Sequence, residues 1–319
     1  MAIALPRFVR IPAGVDYRAP SPHRKAGLLI AGFGVLVASV VLVAGIAAGN
    51  LTQDGDATGA AQVLSWSFGL NAVALSTIKV GIAVILIGVL VRLFFRAQSI
   101  RAALPALKSP APQDQPVPSG TVITPYGKVT ITSGPPQPLL IHRMAQALWA
   151  PMLVMGAMAV LAGFVLSLVQ AGNVATEPAL ATSQSSWVQG LLFLGEAMIL
   201  AGISFLLGSI LAGIRSAGGQ VQAELGLPVK TLEMPTTAKI FIGLMMVGML
   251  VAIFQFIAYI VVAQQSDPVT VAANFAWLGL LREVGLGLLL SGVVLALATI
   301  ATALGLQFTR IVEIIKTGR

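Results

Sequence analysis

The chain has 319 residues, of which 57% are hydrophobic and only 9% are charged. Soluble domains carry about 25% charged residues, so this composition excludes an ordinary soluble fold and predicts a protein dissolved in lipid. The net charge of +8 would suggest nucleic acid in a soluble protein, but no basic patch interleaved with aromatic residues is present, and basic residues beside membrane spans explain the charge.

The side chains that most enzymes and metalloproteins need are scarce. Cysteine is absent, which excludes disulfides, zinc–thiolate sites and iron–sulfur clusters. The two histidines, His23 and His142, both lie outside the apolar stretches, so haem held within the bilayer is not expected. Paired aspartates within spans and a serine nucleophile with a base are also missing. We therefore predict no enzymatic activity, no cofactor and no metal site.

Six apolar stretches are long enough to cross the roughly 30 Å hydrocarbon core as helices. They are residues 27–48, 79–95, 145–169, 189–213, 240–263 and 284–307. The second is short and is expected to extend outward through residues 72–78. The first is longer than the roughly 7–15 apolar residues of a cleaved signal, so a retained span is predicted. The fold class is therefore an all-α, polytopic membrane protein.

The distribution of basic residues predicts the orientation of these spans. The N-terminal segment, the loops after the second and fourth spans, and the C-terminal tail are rich in arginine and lysine, whereas the alternate loops carry aspartate and glutamate. Cytoplasmic loops carry an excess of basic residues. We therefore expect a multi-pass protein of the cell inner membrane with both termini in the cytoplasm.

Glycine spacing predicts that the six spans form three repeated hairpins. Spans two, four and six each contain two glycines seven residues apart, and one tryptophan lies in the outer part of each hairpin. The glycine pairs are Gly81 and Gly88, Gly195 and Gly202, and Gly285 and Gly292. Seven residues make about two helical turns, so each pair lies on one helix face. We interpret these glycines as sites of close helix packing.

The spans and the repeat divide the chain into seven segments. The three transmembrane hairpins are residues 27–95, 145–214 and 239–307. The segments between and around them are a basic N-terminal arm (1–26), a proline-rich loop (96–144), a second cytoplasmic loop (215–238) and a tail (308–319). Within the proline-rich loop, residues 121–132 alternate β-branched side chains around a Pro-Tyr-Gly-Lys turn, which predicts a small β-hairpin. It is either a docking element or a loop without a role.

Four charged residues interrupt the apolar plan near the predicted outer face. Glu196 lies within span four, about 10 Å below the outer surface by helical rise. Lys79, Arg282 and Glu283 lie at the outer ends of spans two and six. An ionisable residue at membrane depth needs a partner or a function. We hypothesise an ion-pair network in the outer leaflet, in which Lys79 bridges one or both glutamates.

Two functions remain open. The first is a non-catalytic scaffold or accessory subunit, which fits the packing glycines and implies the bilayer and a protein partner or homo-oligomer, with no nucleic acid. The alternative is a small transporter or channel that uses Glu196 to bind or relay a cation or proton. Transporters usually show broken helices or several polar residues along one span. Spans one, three and five carry no charged residue, so the first reading is favoured.

Overall fold

A computed structural model describes residues 22–107, 120–132, 134, 136, 139–224 and 226–317. Six helices in it are long and apolar enough to cross a membrane, which confirms the predicted all-α, polytopic fold. Their bounds are α1 Pro22–Gln53, α2 Ala57–Leu107, α3 Leu140–Asn173, α4 Pro178–Glu224, α5 Thr236–Val262 and α6 Pro268–Thr317. Each helix is longer than the apolar stretch that predicted it, because helical hydrogen bonds continue into the flanking polar residues.

Consecutive helices pack as three hairpins, α1 with α2, α3 with α4, and α5 with α6. In the first two, glycines face each other where the helices cross. A Cβ atom built on Gly81 would lie 2.7 Å from the carbonyl oxygen of Gly27, and one built on Gly195 would lie 2.8 Å from that of Gly156. Both relations are reciprocal. Only glycine lets the two backbones approach so closely.

The third hairpin has the same arrangement with a wider separation. A Cβ atom on Gly248 would lie 3.3 Å from the carbonyl oxygen of Gly285. The second glycine of each pair is also packed: Gly88 is buried, Gly202 is closed in by a leucine of α3, and a Cβ atom built on Gly292 would lie 3.6 Å from the nearest atoms of α5. The six glycines thus lie at helix contacts, with the tightest ones in the first two hairpins.

Helix α4 forms the centre of the bundle. It packs against α2, α3, α5 and α6, and 78% of its most apolar window is buried. By contrast α1 packs only against α2 among the described elements, and 11% of its window is buried. The core follows the length of α4 and includes the fully buried side chains of Leu192, Phe193, Ile199, Leu206 and Leu207. The peripheral α1 instead presents most of its apolar side chains outward.

The predicted β-hairpin is present as β1 (Gly120–Thr124) and β2 (Gly127–Thr132), which pair antiparallel. A third strand, β3 (Val229–Leu232), was not predicted; it lies in the loop between α4 and α5 and extends the sheet on the β2 side. The register places Val129 opposite Leu232. These two side chains form a small apolar cluster with Leu306 of α6. The hairpin therefore packs on the helical bundle.

The loop between α4 and α5 is shorter than its predicted length because helices extend into it from both sides. Helix α4 continues to Glu224, and Gly226 follows with a positive φ of 70°, a conformation that glycine adopts at little energetic cost. After β3, Pro235 directly precedes the first residue of α5. Gly226 and Pro235 thus bound the stretch between the two helices, and β3 lies within it.

Candidate functional site

Three charged side chains from three helices meet inside the bundle. Arg282 of α6 donates from Nη2 to Glu196 Oε2 of α4 over 3.2 Å, and Nζ of Lys79, on α2, lies 3.6 Å from the same oxygen. The carboxylate is almost fully enclosed, with 1% of its side chain exposed, against 17% for Lys79 and 19% for Arg282. We call these three residues the buried triad.

The triad carries one more positive than negative charge. The other carboxylate oxygen of Glu196 and the Nε atom of Arg282 are both buried without a hydrogen-bond partner among the described residues. The guanidinium of Arg282 also lies over the ring of Phe68, 5.5 Å from its centroid. This contact adds a cation–π attraction to the ion pair. The arrangement therefore holds two cations around one carboxylate, with one further acceptor and one further donor unused.

The triad lies level with the middle of helix α3. Gly195, beside Glu196, faces Gly156, which lies at the middle of the 34 residues of this helix. The partly exposed Trp187 lies two and a half turns before Glu196, about 13 Å along the helix. The depth of about 10 Å below the outer surface, counted from the start of the apolar stretch, stays a prediction.

Glu283 does not join the triad. It is exposed, and it forms no ion pair with Lys79 within the described structure. Of the two arrangements in the hypothesis, in which Lys79 bridges one or both glutamates, the structure contains the one with Glu196 alone. The reason is helical geometry: successive residues point about 100° apart. Because Arg282 turns inward to Glu196, its neighbour Glu283 turns outward.

A layer of neutral polar side chains, not predicted from the sequence, lies between the triad and the loop that joins α5 to α6. Gln255 of α5 is fully buried and donates from Nε2 to the backbone carbonyl of Leu278, over 2.6 Å. One turn later, the hydroxyl of Tyr259 donates to Gln189 Oε1 of α4, over 3.0 Å. The spacing of four residues between Gln255 and Tyr259 puts both on one helix face. This spacing is the sequence pattern from which a polar face on α5 could have been predicted.

A cavity of about 490 Å³ lies between the start of α2, the end of α3 and the starts of α4 and α6. We call it the outer cavity, after the face on which the charge pattern predicts it to lie. Polar side chains such as Ser65, Gln170 and Gln189 line it together with apolar ones. Phe68 lines this cavity and also stacks on Arg282. Its ring therefore lies between the cavity and the buried triad.

The described residues contain no group of three or more histidine, aspartate or glutamate side chains that could hold a metal ion. The carboxylate of the triad is already occupied by two cationic side chains, so its geometry suits charge compensation rather than metal ligation. Comparison of the chain with protein-family models, with curated proteins and with solved structures gave no match. What this protein does must therefore be inferred from its own geometry.

Proposed function

We propose that this protein is a non-catalytic integral membrane subunit that binds a transmembrane helix of another protein through the exposed face of α6. The observation that carries the proposal is Glu283. This carboxylate is adjacent to Arg282 and so lies at the level of the buried triad, yet it is exposed. A carboxylate on a lipid-facing helix surface at this depth has no water to solvate it, so it is stabilised when a partner supplies a hydrogen-bond donor or a cation.

The surroundings of Glu283 support a lipid-facing or partner-facing surface. Exposed apolar side chains lie on the same helix before and after it, including Leu280, Val284 and Val294. Gly287, one turn along this face, has open space where a side chain would project. Small residues on a membrane helix allow another helix to approach closely. We call the surface formed by Leu280, Glu283, Val284, Gly287 and Val294 the α6 face.

The charge of the α6 face argues for a different protein rather than a second copy. Among the described residues, the cations at this level are Lys79 and Arg282, and both contact Glu196. A second copy arranged in the same membrane orientation would therefore bring another glutamate and no matching cation. A partner helix with lysine, arginine or an amide at this depth would complete the site. The inner membrane, with both termini cytoplasmic, is proposed as the location because basic residues dominate alternate loops.

A crosslinking experiment tests this proposal, since the chain contains no cysteine of its own. We expect Gly287→Cys, labelled with a photo-crosslinker in native membranes, to yield one defined adduct with another membrane protein. Gly45→Cys is the matched control, because Gly45 is also an exposed glycine with open space around it, on the peripheral α1. Glu283→Gln added to Gly287→Cys should reduce the adduct. Equal labelling from both positions, or adducts only with a second copy, would contradict the proposal.

A second candidate is a small transporter or channel in which Glu196 binds or relays an ion or proton. The outer cavity favours it, because Phe68 at its wall contacts Arg282 and so brings the cavity close to the triad. On this alternative, the purified chain alone reconstituted in liposomes would carry an ion or proton flux that Glu196→Gln abolishes. The subunit proposal expects no flux from the chain alone, so this measurement separates the two candidates.

A further inference from the structure

A second cleft lies at the opposite end of the bundle from the outer cavity. It has a volume of about 90 Å³ and is lined by the start of α3, the second halves of α4 and α6, and the first turns of α5. Most of the lining is apolar, with Phe205, Ile242 and Met245 as its larger side chains. Helices α3 and α5 both line the cleft but do not pack against each other in the described structure. The gap between them therefore opens the cleft sideways, toward lipid.

Basic side chains surround the wide end of this cleft, which we call the inner cleft. Its lining includes His142 of α3, Arg215 of α4 and Arg310 of α6. Arg310 is only 2% exposed, and the buried Nε atom of Arg215 has no hydrogen-bond partner among the described residues. Two guanidinium groups from different helices thus lie at one end of an apolar cleft. This arrangement favours an anion at the rim.

One carboxylate also lines the inner cleft, and its charge is largely offset by a lysine outside it. Glu233 lies 3.4 Å from Lys128 Nζ and accepts a hydrogen bond from the hydroxyl of Thr130 over 3.1 Å. Both partners belong to β2, so the side chain of Glu233 is directed toward the sheet. The rim therefore retains the positive charge of Arg215, whose buried Nε atom has no hydrogen-bond partner among the described residues.

The length of the cleft matches that of an acyl chain, whereas its volume holds only a few methylene groups, so the rest of the chain would lie in the open gap between α3 and α5. Ser204 lines its deep end, and its fully buried hydroxyl has no partner within the described residues. The distance from Arg215 to Ser204 along α4 is about 16 Å by helical rise. One leaflet of the hydrocarbon core is about 15 Å thick. A lipid with its headgroup at the rim would thus extend its acyl chain along apolar side chains over about the thickness of one leaflet.

From these features we infer that the inner cleft binds an anionic phospholipid, with its phosphate between Arg215 and Arg310 and one acyl chain in the gap between α3 and α5. Basic pockets between membrane helices bind lipid headgroups by the same combination of charge and apolar contact. The strand β3 and the residues after it close the cleft on the side away from the membrane, since Leu232 and Pro235 are part of its lining. The lipid therefore enters sideways, from the bilayer.

The test is a binding measurement on the purified, delipidated full chain by native mass spectrometry. The probes are phosphatidylglycerol and phosphatidylcholine with identical acyl chains, and inorganic phosphate. We expect phosphatidylglycerol to bind at least about tenfold more tightly than phosphatidylcholine. Both lipids carry a phosphodiester, but the trimethylammonium group of phosphatidylcholine offsets its negative charge and is repelled by the two guanidinium groups. Equal binding of the two lipids would overturn the inference. Displacement of phosphatidylglycerol by inorganic phosphate at equal concentration would show a free-anion site and would also overturn it.

Three variants locate the lipid in the cleft. Arg215→Gln combined with Arg310→Gln should remove the preference for phosphatidylglycerol, whereas Arg143→Gln, an exposed arginine at the same end, should retain it. Ala303→Phe keeps every charge but fills part of the cleft, and it should weaken phosphatidylglycerol binding at least about tenfold. If the double variant fails to fold, Ala303→Phe decides the question. Unchanged lipid binding by Ala303→Phe would contradict the proposed position of the acyl chain.

Discussion

Glu196 and Glu283 are two carboxylates at one level of the bundle with opposite surroundings. Glu196 is enclosed and contacts both Lys79 and Arg282, whereas Glu283 is exposed and forms no ion pair with a described residue. They belong to neighbouring helices, and Arg282, the residue before Glu283, is the partner of Glu196. Depth in the membrane therefore does not decide the environment of a charge. The helix face on which the residue lies decides it.

The largest expected effect on stability follows removal of the Glu196 carboxylate, which points into the bundle. Glu196→Ala leaves Lys79 and Arg282 without their counter-charge inside the bundle. Removing one partner of a buried ion pair destabilises a protein by about 3–5 kcal/mol. We expect the variant to show a greatly lowered free energy of unfolding in detergent, measured by denaturant titration of helical content. Glu283→Ala is the matched control and should change stability by less than about 0.5 kcal/mol. Similar losses for both variants would remove the distinction between the two faces.

The second-largest expected effect distinguishes the contributions of Arg282 and Lys79 to the free energy of unfolding. Arg282 forms a hydrogen bond with Glu196 and stacks on Phe68, while Lys79 lies farther from the carboxylate. We expect Arg282→Gln to reduce the free energy of unfolding by roughly 1.5–3 kcal/mol, in the range of a charged hydrogen bond. Lys79→Gln should have a smaller effect in the same titration. A larger loss for Lys79→Gln would show that Arg282 is not the main partner.

Glycines provide a similar comparison of inward and outward positions. A side chain at Gly195 would collide with Val160 and with the backbone of Gly156, whereas a side chain at Gly45 would meet open space. We expect Gly195→Val to destabilise the protein by about 1–3 kcal/mol, as overpacking does. Gly45→Val should leave the thermal midpoint in detergent nearly unchanged. Equal midpoints for the two variants would show that the hairpin crossing is looser than described.

A third carboxylate, exposed to water, shows the smallest expected effect. Asp267 precedes α6 and accepts hydrogen bonds from the hydroxyl and backbone N–H of Thr270 and from the N–H of Val269. These bonds lower the pKa of Asp267 below its usual 3.8. The stabilisation is therefore complete above that value and disappears as the pH falls through the folded-state pKa. Between about pH 5 and pH 3, the wild type should lose slightly more stability than Asp267→Asn.

The thermal midpoint at both pH values measures this difference. Thr270→Val removes the hydroxyl that donates to Asp267, while the two backbone N–H donors remain. The variant should therefore lose less stability than the wild type between the two pH values, but more than Asp267→Asn. A pH dependence that is identical in wild type and Asp267→Asn would contradict the capping role.

The architecture was predictable from the sequence because its signals are local. Apolar stretches predicted the six helices, and the turn around Tyr126 predicted the β-hairpin. The third strand was missed because Val229–Leu232 is only four residues long and pairs with a segment far away in the chain. A strand of this length is too short to show a periodic sequence pattern, and it forms by pairing with the edge of β2.

The triad was only partly predictable, because it depends on how helices rotate against each other. The sequence identified Glu196 and Lys79 as unusual charges at similar depth, and it also identified Arg282 and Glu283. Which of these last two turns inward depends on the packing of α6 against α4. Two adjacent charged residues give no preference on their own, so the pairing with Arg282 could be seen only in the structure.

The three-stranded sheet also constrains the order of events during synthesis of the chain. Strands β1 and β2 leave the ribosome before α3 and α4, and β3 leaves it after them. The sheet can therefore close only once the second hairpin has been synthesised. Until then the edge of β2 is unpaired, the kind of edge that attracts other chains. A ribosome stalled between α4 and β3 would leave that edge exposed, so a closed sheet requires that synthesis has passed the second hairpin.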